Sequence, residues 1–259
     1  MKIFGLFLIG VLAISATMPE GKTSIIRYSP DDLASVDVKG DNEVRSHNYY
    51  TSERNDRITS GVWEAAHLVS EPYMTEYSEF IYLLDGSLTL IDGDGREETF
   101  HAGDAALIPR GMMVTWKQPE KLRKYWVIFD HETAETTTAV ASEPTPTFIR
   151  LDSDGPAGVG LKGKGQTISH QYYAGNSRST VGVWETAPHK PADFHTAEFA
   201  ELMIFLKGTV TLVEPDGEQT FGPGDVALVP KGTEFKWSSD TARKYWVIFD
   251  NEPSPATSQ

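Results

Sequence analysis

Arg123-Lys124-Tyr125-Trp126-Val127-Ile128-Phe129-Asp130 returns, residue for residue, as Arg243-Lys244-Tyr245-Trp246-Val247-Ile248-Phe249-Asp250. Identity over that length inside one chain marks an internal repeat, and a repeat sets the architecture before any single motif is weighed. Upstream, Gly61-Val62-Trp63-Glu64 matches Gly182-Val183-Trp184-Glu185. Ala102 to Trp116 answers Pro223 to Trp237, with seven of fifteen positions identical. Ser46-His47-Asn48-Tyr49-Tyr50 corresponds to Ser169-His170-Gln171-Tyr172-Tyr173, and the offset stays between 120 and 123 residues throughout.

Each unit reads as β-structure. Short runs of Val, Ile, Leu, Tyr and Trp are separated by turn clusters such as Asp92-Gly93-Asp94-Gly95 and Glu214-Pro215-Asp216-Gly217. Sustained helical periodicity is absent outside the first residues, so the pattern predicts an all-β sandwich or barrel, twice. Residues 131–147, rich in Thr, Ala, Glu and Pro, read as an exposed linker between units at 17–130 and 148–259. At the start, Lys2, the apolar or Gly run Ile3 to Ile14 and the small pair Ser15-Ala16 have the pattern of a cleavable signal peptide over 1–16. That run is too short for a comfortable membrane span. The expectation is a secreted or periplasmic protein without stable membrane insertion.

Composition excludes several chemistries. The 259 residues include 23 basic and 37 acidic side chains, a formal net charge of -14, which argues against nucleic acid as a partner. With no cysteine, thiol catalysis, thiolate metal sites and disulfides are ruled out. Phosphate-cradling loops, a nucleophile elbow and a His-Glu-x-x-His helix are also missing.

Two further motifs are shared by the units. Glu79 precedes Gly86 by seven residues, and Gly103, Pro109 and Gly111 follow; Glu201, Gly208, Gly224, Pro230 and Gly232 repeat the arrangement. Gly and Pro at these points suit tight turns. This resembles the two motifs of the cupin superfamily, which implies two tandem jelly-roll barrels. The Gly-Val-Trp-Glu phrase and the Trp after each Pro-x-Gly are similar to a subgroup related to ethanolamine-utilisation cupins and (S)-ureidoglycine aminohydrolase. Cupins often pair, so a homodimer is an assembly the resemblance allows.

The same resemblance implies a divalent metal held by His-x-His, a Glu and a fourth His, donors that suit Mn, Fe, Ni or Zn. In this chain those positions carry Tyr73, Thr75, Glu79 and Val114 in the first unit. The second has His195, Ala197, Glu201 and Phe235, with Glu198 nearby as a third candidate ligand. The expected cofactor is therefore either none or a weakly bound divalent metal in the C-terminal barrel.

If Glu79 and Glu201 point inward, as the resemblance implies, strand alternation puts Ile81 and Leu83 beside one, Met203 and Phe205 beside the other. A carboxylate in such surroundings is disfavoured unless a cation pairs with it, and it is suited to general acid or base work. Glu79 and Glu201 are thus the candidate catalytic residues; Trp116, Trp237 and Tyr73 are candidate ligand-binding walls. Lys124 and Lys244 share a strand face with Trp126 and Trp246. They are either the pairing cations in a ligand site or the solvated start of the strand. The repeated His67 and His189 are read as strand-end or barrel-mouth residues. Two functions follow from these residues. One is an exported bicupin binding a small polar metabolite or sugar acid in a closed, polar-centred cavity lined by Glu201, Trp237 and His195. The other is a metal-dependent hydrolase resembling (S)-ureidoglycine aminohydrolase, active in the C-terminal barrel.

Overall fold

The computed structural model describes residues 23–37, 43–52, 58–130, 146–164, 166–175, 179–190 and 193–250. The expected signal peptide, and the linker up to residue 145, lie outside them. Among the described residues no helix is long and apolar enough to cross a membrane.

Each repeat folds as a two-sheet jelly-roll barrel. The first has a six-stranded sheet centred on Ser78–Asp85 and Leu122–Phe129, with Thr59–Ala65 and Arg45–Thr51 on one side. Its smaller sheet is built around Met113–Gln118, Ser87–Asp92 and Glu97–His101. The second barrel repeats this with Ala200–Lys207, Ala242–Phe249, Thr180–Thr186 and Thr167–Ala174 against Glu234–Ser239, Val210–Glu214 and Gly217–Phe221.

The repeated phrases turn out to be cross-strand neighbours. Arg123 lies opposite Glu64 and Lys124 opposite Trp63; Arg243 faces Glu185 and Lys244 faces Trp184. Arg123 donates to Glu64 from Nε at 2.8 Å and from Nη2 at 2.6 Å, and Arg243 Nε donates to Glu185 at 2.8 Å. Burial alone would raise Glu64, but hydrogen bonds from Arg123 and Lys121 outweigh it and hold the carboxyl below its ordinary range.

The unbroken apolar run in the eight-residue repeat reflects burial of both strand faces. Trp126 faces a barrel core with Trp63, Ile81, Leu83, Leu90, Val114 and Trp116. Its neighbours Tyr125, Val127 and Phe129 point the other way, into a core shared with Tyr245, Val247 and Phe249 of the second repeat. The two large sheets therefore pack on each other.

Two exchanges tie the repeats together further. Ile26–Tyr28, ahead of the first barrel, pairs with Val226–Leu228 of the second. Ile149–Leu151, ahead of the second, pairs with Ala105–Leu107 of the first. Each covers a sheet edge that would otherwise be bare. The Asp closing each eight-residue repeat is locked by the opposite half. Asp250 accepts from Tyr50 Oη at 2.8 Å and Ser52 Oγ at 2.9 Å, and Asp130 accepts from Tyr173 Oη at 2.9 Å.

Candidate functional site

Alternation holds as expected: Glu79, Ile81 and Leu83 line the inside of the first barrel, while Phe80 joins the inter-sheet core. The cation that a buried carboxylate requires is Lys124. Its Nζ donates to Glu79 Oε1 at 2.6 Å. In the second barrel Lys244 Nζ donates to Glu201 Oε1, also at 2.6 Å. Of the two readings of these lysines, the structure selects the paired, inward one.

The reach is unusual. Lys124 stands opposite Leu83, not Glu79, which faces Ile128. Four residues of strand, roughly 13 Å, separate the two backbones. Both side chains must therefore run toward each other along the barrel interior. Indoles surround the ammonium: Lys124 Nζ lies 4.5 Å from the centroid of Trp116 and 5.2 Å from that of Trp63. Lys244 Nζ lies 5.2 Å from Trp184, whose ring meets Trp237 edge-on at 5.7 Å. Such contacts attract an ammonium to the ring faces. Tyr77, which the sequence reading passed over, has its phenol pushed up by burial, with the charge of Glu79 adding to it.

The expected metal set does not assemble. Among the described residues no group of three or more His, Asp or Glu side chains is placed to hold a metal ion. His195 is exposed, its ring tilted at 51° against Phe235 with centroids 4.3 Å apart; Glu198 is exposed on the following bend. Glu201 is engaged by Lys244. In the first barrel Val114 is fully buried, and Tyr73, 44 % exposed, sits on the rim. The donors present do not fit the divalent ion that the motif implies. The reason is physical: an ammonium 2.6 Å from the central carboxylate oxygen already supplies a positive charge there.

The barrels differ in closure. Trp63 and Trp116 are buried, whereas Trp184 and Trp237 are half-buried. In the first barrel the Trp116 Nε1–H donates to Gln118 Oε1 at 3.2 Å. Gln118 Nε2 in turn donates to the carbonyls of Ala65, at 2.9 Å, and Ala66. Gln118 thus fastens one sheet to the other beside the indoles. Ser239 takes its place in the second barrel and is too short to do so. Its Oγ is buried and has no hydrogen-bond partner. Thr233, just ahead of the strand Glu234–Ser239, also carries a buried Oγ1 without a partner. Opposite Ser239, through paired backbone bonds of 2.9 Å, stands His189, whose ring lies 4.2 Å from Trp237. The two sequence-repeated histidines are therefore not equivalent: Gln118 is bridged by Leu68, while His67 turns to the Pro119 carbonyl at 3.2 Å.

An open depression of about 550 Å³ lies on the first barrel, lined by Asp85, Gly86, Ser87, His101, Glu120 and Lys121. None of the residues predicted for a site line it.

The EutQ-like cupin domain model matches residues 52–126 and again 174–254, more than half of the chain. The chain belongs to the cupin superfamily. Among solved structures, this cupin is similar to a protein of unknown function of the DUF861 family from Pseudomonas syringae pv. tomato. That pair is 22% identical, with a TM-score of 0.66, covering 88% of this chain and 100% of the other. A cupin 2 conserved barrel protein from Leptotrichia buccalis superposes with a TM-score of 0.60 at 12% identity, over 89% of this chain and 99% of that one. Both likenesses concern the fold alone. A curated relative, the 1-hydroxy-2-naphthoate 1,2-dioxygenase of a Nocardioides species, is 27% identical over 110 residues. The match covers 41% of this chain and 28% of that enzyme, so the cupin spans less than a third of its length.

Proposed function

We propose that this cupin is an exported binding protein that holds a small polar metabolite in its second barrel without a metal. One observation carries the reading: in both barrels a lysine ammonium occupies the central carboxylate that a metal would need. The second barrel is the working one because its indoles are half-buried, and because Gln118, which closes the first barrel, is replaced there by Ser239, whose buried hydroxyl has no partner. Unpaired buried hydroxyls are costly, and a ligand's polar groups relieve that cost. A hydrolase resembling (S)-ureidoglycine aminohydrolase would need a third donor drawn to Glu201 and His195 and Lys244 displaced from its partner.

The test is elemental mass spectrometry of the purified mature protein and of Glu201→Gln, followed by a thermal-shift screen of small polar metabolites. The expected result is metal far below one equivalent in both proteins. A stabilising compound should emerge whose effect is lost in Trp237→Ala and kept in Trp116→Ala. Near-stoichiometric Mn, Fe, Ni or Zn that disappears in Glu201→Gln would overturn the proposal in favour of the hydrolase.

A further inference from the structure

We infer that the depression on the first barrel binds a small aliphatic compound with two or more ammonium groups, a diamine or short polyamine. This site is separate from the second barrel and does not depend on the reading given for it. Its residues meet for a backbone reason. Gly86, at φ +83°, turns the chain from Ser78–Asp85 into Ser87–Asp92. It lies so close to the next hairpin that a Cβ there would come 2.2 Å from the Lys121 carbonyl oxygen. Glycine permits both the angle and the approach, and so sets the turn carrying Asp85 against the turn carrying Glu120. Ser87 stands directly opposite His101 in the adjoining strand pair. Their strand neighbours Leu88 and Phe100 point into the barrel core, so Ser87 and His101 face outward. The depression is therefore outside the barrel interior, and its volume of about 550 Å³ falls in the range of about 300–1,000 Å³ usual for small-molecule sites.

Charge selects the ligand. Asp85 and Glu120 are exposed and form no ion pair among the described residues. One Asp85 oxygen accepts from the Gly86 N–H at 3.0 Å, which leaves the other open. The cation in the lining, Lys121, is turned to Glu64 at 3.3 Å, where Arg123 also binds. A single metal ion does not match this arrangement: among the described residues no three His, Asp or Glu side chains are placed to share one. Two carboxylates on separate turns instead suit two ammonium groups joined by methylenes, each with up to three donors. The Ser87 hydroxyl offers a further acceptor. The second repeat keeps the backbone and loses the set. Lys207 takes the place of Asp85, opposite Arg243 as Asp85 is opposite Arg123. Phe221 pairs with Val210 as Phe100 pairs with Leu88, which puts Thr209 and Gly222 where Ser87 and His101 stand. An ammonium at Lys207 would repel the same ligand, so the fold alone does not make this site.

The experiment is calorimetric titration of the purified protein with putrescine, cadaverine and spermidine, with butylamine and magnesium chloride as the singly charged and point-charge comparisons. Amide shifts in NMR locate the site. At least one diamine or polyamine should bind at least about tenfold more tightly than butylamine, and shift the amides of Gly86, Ser87, His101 and Lys121. Asp85→Asn keeps an oxygen for the Gly86 N–H, and it and Glu120→Gln should each weaken binding about fivefold to tenfold. Asp85→Lys, which copies the second repeat, should abolish it. Asp94→Asn, on an exposed hairpin outside the lining, should leave it unchanged. Raising salt from about 50 mM to about 500 mM should weaken binding severalfold, since these charges are open to screening. Circular dichroism confirms that the variants fold, and Glu120→Gln keeps the test decisive if the Asp85 variants do not. Butylamine binding as tightly as the diamines, or magnesium binding with the same dependence on Asp85 and Glu120, would overturn the inference. So would unchanged affinity in Asp85→Asn and Glu120→Gln, or no binding of any amine. None of these results bears on the second barrel, whose own screen stands apart.

Discussion

Replacing Lys124 by Met should destabilise the folded chain by about 3 kcal/mol, the lower end for breaking a buried ion pair. The structure sets this scale. The Lys124 and Glu79 side chains are 8% and 15% exposed, their N···O distance is 2.6 Å, and two indoles flank the amine. Removing the lysine leaves Glu79 charged and unpaired among Ile81, Leu83 and Trp116, which is the costly part. Methionine retains most of the stem's packing, so a cavity contributes little. Glu79→Leu should cost a similar amount, since it strands the ammonium. The double variant Lys124→Met/Glu79→Leu removes both charges and should fall within about 1 kcal/mol of the parent. Urea denaturation of the purified protein, followed by fluorescence and circular dichroism, gives the four free energies. Because the large sheets share one core, the two barrels should unfold together. A loss of 3 kcal/mol then corresponds to roughly 6–12 °C in Tm for a chain of this size. The corresponding Lys244→Met should cost about half as much, because that pair is 14% and 21% exposed. A Lys124→Met variant within about 1 kcal/mol of the parent would refute the reasoning. So would a double variant as unstable as the two singles summed.

Two further outcomes are expected. Gly208→Ala should cost at least about 2 kcal/mol, because φ is +71° there and a Cβ would come 2.0 Å from the Thr241 carbonyl oxygen; denaturant midpoints check it, and a neutral result would mean the turn is placed wrongly. Alkaline pH should loosen the junction between the repeats, since burial pushes the Tyr173 phenol up to about 12. A phenol raised on folding contributes stability that is complete below its unfolded pKa, near 10, and lost as pH climbs toward the folded value. Absorbance at the phenolate band should therefore rise together with unfolding between about pH 10 and 12. Free titration of every tyrosine with the fold intact would contradict this.

The barrels and their number were legible from local pattern, and the inward turn of the carboxylates came from the family resemblance. The strand run from Tyr125 to Phe129, the turn glycines and the period-two placement of Glu79 with Ile81 and Leu83 need no knowledge of which strands pair. The ion pairs were half legible. Sequence puts Lys124 on the face of Trp126, but its partnership with Glu79 depends on a cross-strand register that sets Lys124 opposite Leu83. The exchanged strands Ile26–Tyr28 and Ile149–Leu151 were not legible at all. Three residues are too few to show a period, and nothing in them names the sheet they join. His195, Glu198 and Glu201 were candidate ligands because the three lie close in sequence. They sit on a two-residue strand, on the bend after it and on the next strand, which leaves His195 and Glu198 exposed and Glu201 turned to Lys244.

The difference between the repeats was in plain sight, yet silent. Thr-Trp-Lys-Gln at 115–118 stands against Lys-Trp-Ser-Ser at 236–239, an exchange that looks like drift between polar residues. Its meaning appears only once alternation places the last residue inward and pairing brings it beside the opposite sheet. Gln118 then spans the gap and satisfies an indole, while Ser239 does neither. The eight-residue strand could remain identical in both copies because it serves a common task, bearing the ion pair on one face and the shared core on the other. Freedom to diverge lay with the facing strand of the small sheet, which closes the barrel and lies outside the core that the two repeats share. A duplicated barrel can in this way fasten one copy through a side chain that the other copy lacks.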